Sequence, residues 1–462
     1  MHQFNSSILR EYDVRGIVGK TLDGYDAFFL GKSFGTIVRR NGGKKICVGY
    51  DGRISSPDFE EKITEGIIST GVDVLRIGCG PSPMLYYSVF ELDADGGIMI
   101  TGSHNPPDYN GFKFMLGKSG FYGKQIKALG DVAATGDFEK GHGEARHVNV
   151  FDRYADRLLR DVDFAAWERA DLSVAWDPGN GAAGEVVAAL ISRLPGKHYL
   201  INGEIDGTFP NHHPDPTVAK NLSQIKELIA DKKMDMGVAF DGDGDRIGAV
   251  DGRGDIIWGD QLLAIFAEEI LKSKPGSNIV ADVKCSQMLF DRVKELGGNP
   301  VMWKTGHSLI KSKMEETGAP IAGEMSAHIF IKDNYYGFDD AIYAAIRLIN
   351  IASMVEGGLT ALKRKLPNVV NTPEIRIDTN GNDPFEIVDD ILKHLKEHNI
   401  AYNDIDGARV VTDDGWWLIR ASNTQDVVVA RCEGKDETAL NALVSELQCL
   451  LDRYGLKLPE VL

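Results

Sequence analysis

The chain has 462 residues, more than one ordinary core holds, and that length corresponds to about three or four domains. Hydrophobic residues at 43% and charged residues at 26% are average for a folded globular chain, which excludes disorder as the main theme. A formal charge of -17 argues against nucleic-acid binding, which needs basic stripes, so an anionic substrate must find a local basic pocket.

Five cysteines, Cys47, Cys79, Cys285, Cys432 and Cys449, lack CxxC spacing, against both zinc and a disulfide framework. No apolar run approaches the ~20 residues of a spanning helix, and the start, Met1 to Asn5, lacks the basic and apolar parts of a signal peptide. A cytoplasmic protein without a membrane partner is expected.

Residues 1–149 alternate strand-like and helix-like runs. Lys45 to Tyr50 reads as a strand ending at Asp51-Gly52-Arg53, Pro57 to Thr70 as a helix and Val72 to Ile77 as a strand. The apolar run Gly97 to Ile100 then leads into Thr101-Gly102-Ser103-His104-Asn105-Pro106-Pro107. Two prolines forbid immediate helix or ladder, so Ser103 is presented on a stiff loop at a strand end, where open α/β sheets meet their ligands. Alone, such a serine is also compatible with a plain turn former.

Residues 150–255 and 256–367 repeat this βα theme, with strands Leu172 to Trp176 and Asn278 to Ala281 each ending at an aspartate, Asp177 and Asp282. From 368 to 462 the pattern changes. A strand (Glu374 to Ile377), a helix (Pro384 to His398), three closely spaced strands (Ala408 to Val411, Trp416 to Arg420, Val427 to Cys432) and a final helix (Glu437 to Tyr454) predict an antiparallel sheet with helices on one side. The expected fold is α/β: three related α/β domains with mixed, mostly parallel sheets plus a C-terminal α+β domain, around a central cleft.

The strand Met236 to Phe240 runs into Asp241-Gly242-Asp243-Gly244-Asp245-Arg246. Alternate glycines let three carboxylates converge, and each like-charge pair at ~4 Å costs about 4 kcal/mol at an effective dielectric of 20, so a divalent cation is the natural occupant. A calcium hand would need glycine where Arg246 stands and glutamate where Gly252 stands. Magnesium, which takes few carboxylates and often a phosphate oxygen, fits better. The alternative is an aspartyl-phosphate loop of the haloacid-dehalogenase type, with Asp241 as phosphate acceptor.

In Gly323-Glu324-Met325-Ser326-Ala327-His328, carboxylate, hydroxyl and imidazole at alternate positions suit the vicinal hydroxyls of a sugar. Arg420-Ala421-Ser422-Asn423-Thr424 offers a guanidinium, hydroxyls, an amide and turn N–H groups to a phosphate. Lys113, Lys284 and the Lys304 to His307 run add cationic candidates. Each motif taken singly also fits an ordinary polar loop.

Together, in this order, the four motifs resemble the α-D-phosphohexomutase superfamily over essentially the whole chain, and most closely its bacterial phosphomannomutase/phosphoglucomutase branch. The resemblance implies reversible interconversion of hexose 1-phosphate and hexose 6-phosphate, of mannose and glucose, through phosphorylated Ser103 and a hexose 1,6-bisphosphate, with glucose 1,6-bisphosphate as activator. Mg²⁺ would be held by Asp241, Asp243, Asp245 and Ser103. Arg15, His104, Lys113, Arg246, His307 and His328 would serve the transfer. Tyr12, Lys284, Gly306, His307, Glu324, Ser326, His328, Arg420, Ser422, Asn423 and Thr424 would bind substrate. Two departures stand out: Ala327 where many relatives have glycine, and Gln425-Asp426 after the phosphate loop. The partners implied are small sugar phosphates, and the chain a monomer or homodimer. A non-catalytic sugar-phosphate binder is the remaining alternative.

Overall fold

Short β-branched and aliphatic runs separated by amphipathic helices build four sheets in the computed structural model, which describes residues 1–423 and 426–459. In the first sheet, Lys45–Tyr50 lies parallel to Asp73–Cys79 and Gly96–Ile100. Gly96–Ile100 then turns back antiparallel into Tyr109–Leu116, which places Met99 opposite Lys113. In the second, Ser173–Asp177 lies parallel to Met236–Phe240, which pairs antiparallel with Ile247–Asp251. In the third, Asn278–Asp282 is parallel to Asn299–Trp303 and Ile321–Gly323, and Ile321–Gly323 pairs antiparallel with Ile329–Ile331. The fourth is antiparallel throughout, with Val427–Gly434 between Gly415–Ala421 and the short strands Val370–Asn371 and Ile375–Asp378.

One rule places the chemistry. Each of the four motif loops is the connection of an antiparallel strand pair at a sheet's end, so each presents its polar residues beyond the ladder. The first three sheets are mixed because this hairpin is appended to a parallel pair.

A continuous apolar cluster, from Cys47 through Trp176, Phe240 and Ile279 to Leu366, joins the first three sheets, while the last sheet has its own core around Ile391, Trp417 and Leu447. The helix Ala341–Ser353 is buried from Ala341 to Ala352 and lies where the second and third sheets meet. Burial on every side explains its mostly apolar sequence, in which Arg347 and Asn350 are the buried polar exceptions. No single helix among the described residues is long and apolar enough to cross a membrane.

Element ends differ from the sequence expectation by a residue or two at most strands, as at Val72 to Ile77, observed as Asp73–Cys79, and at two helices for identifiable reasons. The second helix spans Ser56–Ile68 rather than beginning at Pro57 and reaching Thr70, because Pro57 fits the first helical turn and Thr70 bonds back to Ile67. The last α-helix stops at Leu451, and Asp452–Tyr454 form a tighter turn closed by left-handed Gly455.

Candidate active site

Ser103 sits on the first hairpin loop, 3% exposed, with φ +48°, a left-handed conformation that is uncommon for serine. Its Oγ donates to Asp241 Oδ2 at 2.8 Å and lies 3.1 Å from His104 Nδ1. Gly242 allows this approach, since a Cβ there would stand 2.3 Å from the Ser103 carbonyl oxygen. Two arginines hold the loop. Arg15 donates to Gly102 O at 2.5 Å and Asn105 Oδ1 at 2.7 Å, and is itself anchored by Asp13. Arg53 reaches the loop from behind.

Asp241, Asp243 and Asp245 are essentially inaccessible, and their ligand atoms lie within 4.8 Å of one another. Asp241 Oδ1 accepts the backbone N–H groups of Asp245 and Arg246. Lys113 donates to Asp243 Oδ2 at 2.6 Å and also to Asp245, and Ser82 donates to Asp243 Oδ2 at 2.5 Å. Asp243 Oδ1 and Asp245 Oδ1 are buried without a hydrogen-bond partner among the described residues, the latter 3.3 Å from His328 Nε2. An orphaned Asp243 oxygen beside two further buried carboxylates, one of them paired through Oδ1 with His328 only, fits a hard divalent cation.

Electrostatics follows from this crowding. Burial, reinforced by the carboxylates of Asp245 and Asp243, holds Asp241 well above the usual carboxylate range. Burial opposes charge on Lys113 too, but Asp243 and Asp245 outweigh it and keep the ammonium protonated.

The second and third motif loops touch directly. Arg246 and His328 form a backbone bridge, and Ile247 N donates to Ala327 O. Glu324 Oε1 accepts Gly306 N–H at 2.7 Å, and its Oε2 lies 3.0 Å from His328 Nδ1. Burial opposes both charges, yet the pairing sets Glu324 at about 2, and Asp245 with Glu324 raises His328 to about 9. Ser326 Oγ stands 3.3 Å from the same imidazole. Ala327 keeps φ +68°, so this chain accepts about 1 kcal/mol of left-handed strain where glycine would have none. His307 is pushed well below the ordinary imidazole value by burial and then by Lys311, and its Nδ1 lies 3.7 Å from Asp339 Oδ2.

The fourth loop closes the ring. Arg420 Nε donates to Asp406 Oδ2 at 3.0 Å, and the same oxygen accepts Thr305 N–H. Asn423 donates to the Tyr12 hydroxyl, which donates to Thr305 O at 2.9 Å. Ser422 N bonds to Val427 O. Thr424 and Gln425 lie outside the described residues. Lys284 ion-pairs with Glu374 at 2.9 Å. Lys304, by contrast, is exposed.

Sequence reasoning missed Arg53, Ser82, Asp339, Asp406 and Glu374. For Arg53 a signal existed, since Asp51-Gly52-Arg53 ends a strand as the motif loops do; the others contact the site only through folding. The alternative in which Asp241 accepts phosphate is not favoured, because both its oxygens are engaged by Ser103 and two backbone N–H groups.

Comparison with known proteins gives the family. The four models of the phosphoglucomutase/phosphomannomutase family match in chain order: alpha/beta/alpha domain I at residues 6–140, domain II at 152–254, domain III at 258–370 and the C-terminal domain at 374–448. A phosphomannomutase/phosphoglucomutase of Pseudomonas putida is 42% identical over 455 residues, covering 98% of this chain and 97% of its own. A phosphoglucomutase of Neisseria gonorrhoeae is 37% identical, with 98% of both chains covered. The crystal structure of a phosphoglucomutase/phosphomannomutase family protein from Burkholderia thailandensis superposes with TM-score 0.91 at 40% identity, over 99% of this chain and 100% of that one. The chain belongs to the phosphoglucomutase/phosphomannomutase family of the α-D-phosphohexomutase superfamily.

Proposed function

We propose that this chain interconverts hexose 1-phosphates and hexose 6-phosphates of mannose and glucose, with Ser103 as the phosphoryl carrier. The observation that carries the reading is the buried Ser103 hydroxyl bonded to one of three clustered aspartates. Phosphate on that oxygen would add about -1.5 to -2 of charge to the cluster, which only a cation there can accommodate. Asp241, Asp243 and Asp245, with a phosphoserine oxygen, would hold Mg²⁺, which would neutralise charge on the transferring group.

In the forward half-reaction the P–O bond to Ser103 breaks as a bond to a sugar oxygen forms, giving a hexose 1,6-bisphosphate. Glucose 1,6-bisphosphate would therefore recharge an enzyme that has lost its phosphate. The sugar hydroxyl must lose its proton, and His307, held neutral by burial, is a fitting acceptor. The Ser103 oxygen must regain a proton as its P–O bond breaks; His104, 3.1 Å away and held neutral by burial, is placed to hydrogen-bond that oxygen rather than to supply the proton. Lys113, Arg15 and Arg246 offset negative charge around the cluster. Once the bisphosphate has turned over in the cleft, the reverse steps return its other phosphate to Ser103.

Glu324 and Ser326 would hold sugar hydroxyls, with His328 and Gly306 fixing Glu324. Hydroxyls that glucose and mannose share would leave C2 unread, hence both sugars. Arg420, Ser422, Asn423 and Thr424, with Lys284 and Tyr12, would hold the distal phosphate. The chain divides into domains at 149/150, 255/256 and 367/368, a division supported by the four sheets, each carrying one motif loop.

Intact mass measurement with peptide mapping tests the reading. Phosphate is expected on Ser103, and Ser103→Ala is expected to abolish turnover in a protein that still folds, with the unfolding midpoint changed only by the lost hydrogen bond to Asp241. Full activity of Ser103→Ala, or phosphate trapped on Asp241 instead, overturns it.

A further inference from the structure

The strand Lys45–Tyr50 ends in Asp51-Gly52-Arg53, and Arg53 is 1% exposed, among the largest fully buried side chains of the protein. A guanidinium is expensive to bury, and burial lowers its pKa. What compensates it is unusual: one side chain holds four backbone carbonyls of a single loop. Its Nη1 donates to Pro106 O at 2.6 Å and Tyr109 O at 2.8 Å, and its Nη2 to Ser103 O at 2.8 Å and Asn105 O at 2.6 Å. Asp51 stands behind it, 3.3 Å from Arg53 Nε, and also accepts Gly102 N–H at 3.1 Å and the Ser56 hydroxyl. The face of the guanidinium is covered by Phe209 at 5.2 Å. Gly102 is required beside it, because a Cβ there would meet the guanidinium at 2.3 Å.

We infer that Arg53 is a positioning residue for phosphoryl transfer: it clamps the Ser103 loop in its left-handed conformation, with the nucleophilic oxygen aimed at the metal cluster. This rests on Ser103 as the carrier. None of the four acceptors is the Ser103 hydroxyl, so the clamp survives phosphorylation unchanged and holds the same oxygen in both halves of the reaction. A fork of N–H donors is needed to span four carbonyls, and a lysine ammonium, with three donors at one point, cannot do so. A displacement of about 1 Å at a reacting atom costs about 10²-fold in rate.

The test compares wild type with Arg53→Lys, which keeps the charge and the aliphatic stem. Radiolabelled glucose 1,6-bisphosphate is used to load Ser103, and kcat, KM and the unfolding midpoint are measured beside the loading rate. For Arg53→Lys, kcat and the loading rate are expected to fall together by about 10²-fold with KM unchanged, because substrate is held elsewhere. A kcat per folded molecule equal to wild type, with only the midpoint lowered, overturns the inference and leaves Arg53 a packing residue. Should Arg53→Lys fail to fold, the isosteric Asp51→Asn reads the same clamp from behind: a fall in kcat at constant KM supports it, and an unchanged kcat overturns it. Absence of label on Ser103 in wild type would instead strike at the carrier role, so the two failures are separable.

Discussion

Asp243 has one carboxylate oxygen with two donors, Lys113 and Ser82, and another, buried, with none among the described residues. That imbalance is tolerable only if the second oxygen is used. Asp243→Asn is expected to weaken binding of Mg²⁺ alone, measured calorimetrically, by about tenfold or more, the lower bound being what supporting groups around metal sites cost. Unchanged affinity would remove Asp243 from the ligand set. The three aspartates were legible in the sequence because the whole cluster lies within six consecutive residues, and spacing alone brings it together. Ser82 was not, since its partner lies 161 residues away, and Arg53 showed only as a strand-end residue, its four acceptors lying 50 to 56 residues away along the chain. The chemistry of a local loop can be read from composition, but the side chains that hold it in place come from other strands.

At the scale of elements, the hairpin at each sheet's end and the buried helix Ala341–Ser353 set the geometry. The helix begins at Asp340, whose Oδ1 caps Tyr343 N–H and whose Oδ2 accepts the hydroxyls of Tyr154 at 2.8 Å and Tyr335 at 2.7 Å. Arg157 lies over the Tyr335 ring at 4.6 Å rather than on the carboxylate. Burial raises Asp340 from 3.8 to about 6. The folded state thus binds this proton more tightly than the unfolded state, and stability falls as pH rises from 3.8 to 6, by about 3 kcal/mol in all. Asp340→Asn lacks this dependence, so its unfolding midpoint relative to wild type should climb over that interval and level off above it. A constant difference would show that the carboxyl titrates normally. The amphipathic helices and buried strands were readable from periodicity, but Tyr109–Leu116 was not. Asn110-Gly111 near its start reads as a turn, and only pairing with Gly96–Ile100 makes it a strand.

At the scale of the molecule, the C-terminal sheet is fastened to the loop that carries Lys284. Arg409 donates to Val283 O and Cys285 O, and Arg431 to Lys284 O, so two buried guanidiniums take three successive carbonyls. Glu433 accepts Ser286 Oγ and Gln287 N–H at the start of the following helix. Nothing in the order of residues announces this interface; the four-domain plan was legible because each unit carries its own strands, but how the units dock depends on side chains far apart in the chain. Across the same junction Lys284 pairs with Glu374, whose side chain is 20% exposed. Lys284, by its charge, sets Glu374 at about 2 against an ordinary 4.5. A carboxylate lowered in this way stabilises the fold above 4.5, and the contribution is lost as pH falls toward 2. Its full size is about 3 kcal/mol. On the role proposed above for Lys284, a substrate phosphate would compete with Glu374 for its ammonium. Glu374→Gln is therefore expected to lower the denaturation midpoint at neutral pH, by an amount that shrinks at each step below pH 4.5, and at the same time to lower KM for glucose 1-phosphate. A variant that loses stability while KM stays at the wild-type value would mean that Lys284 ties the C-terminal sheet in place and takes no share of the phosphate.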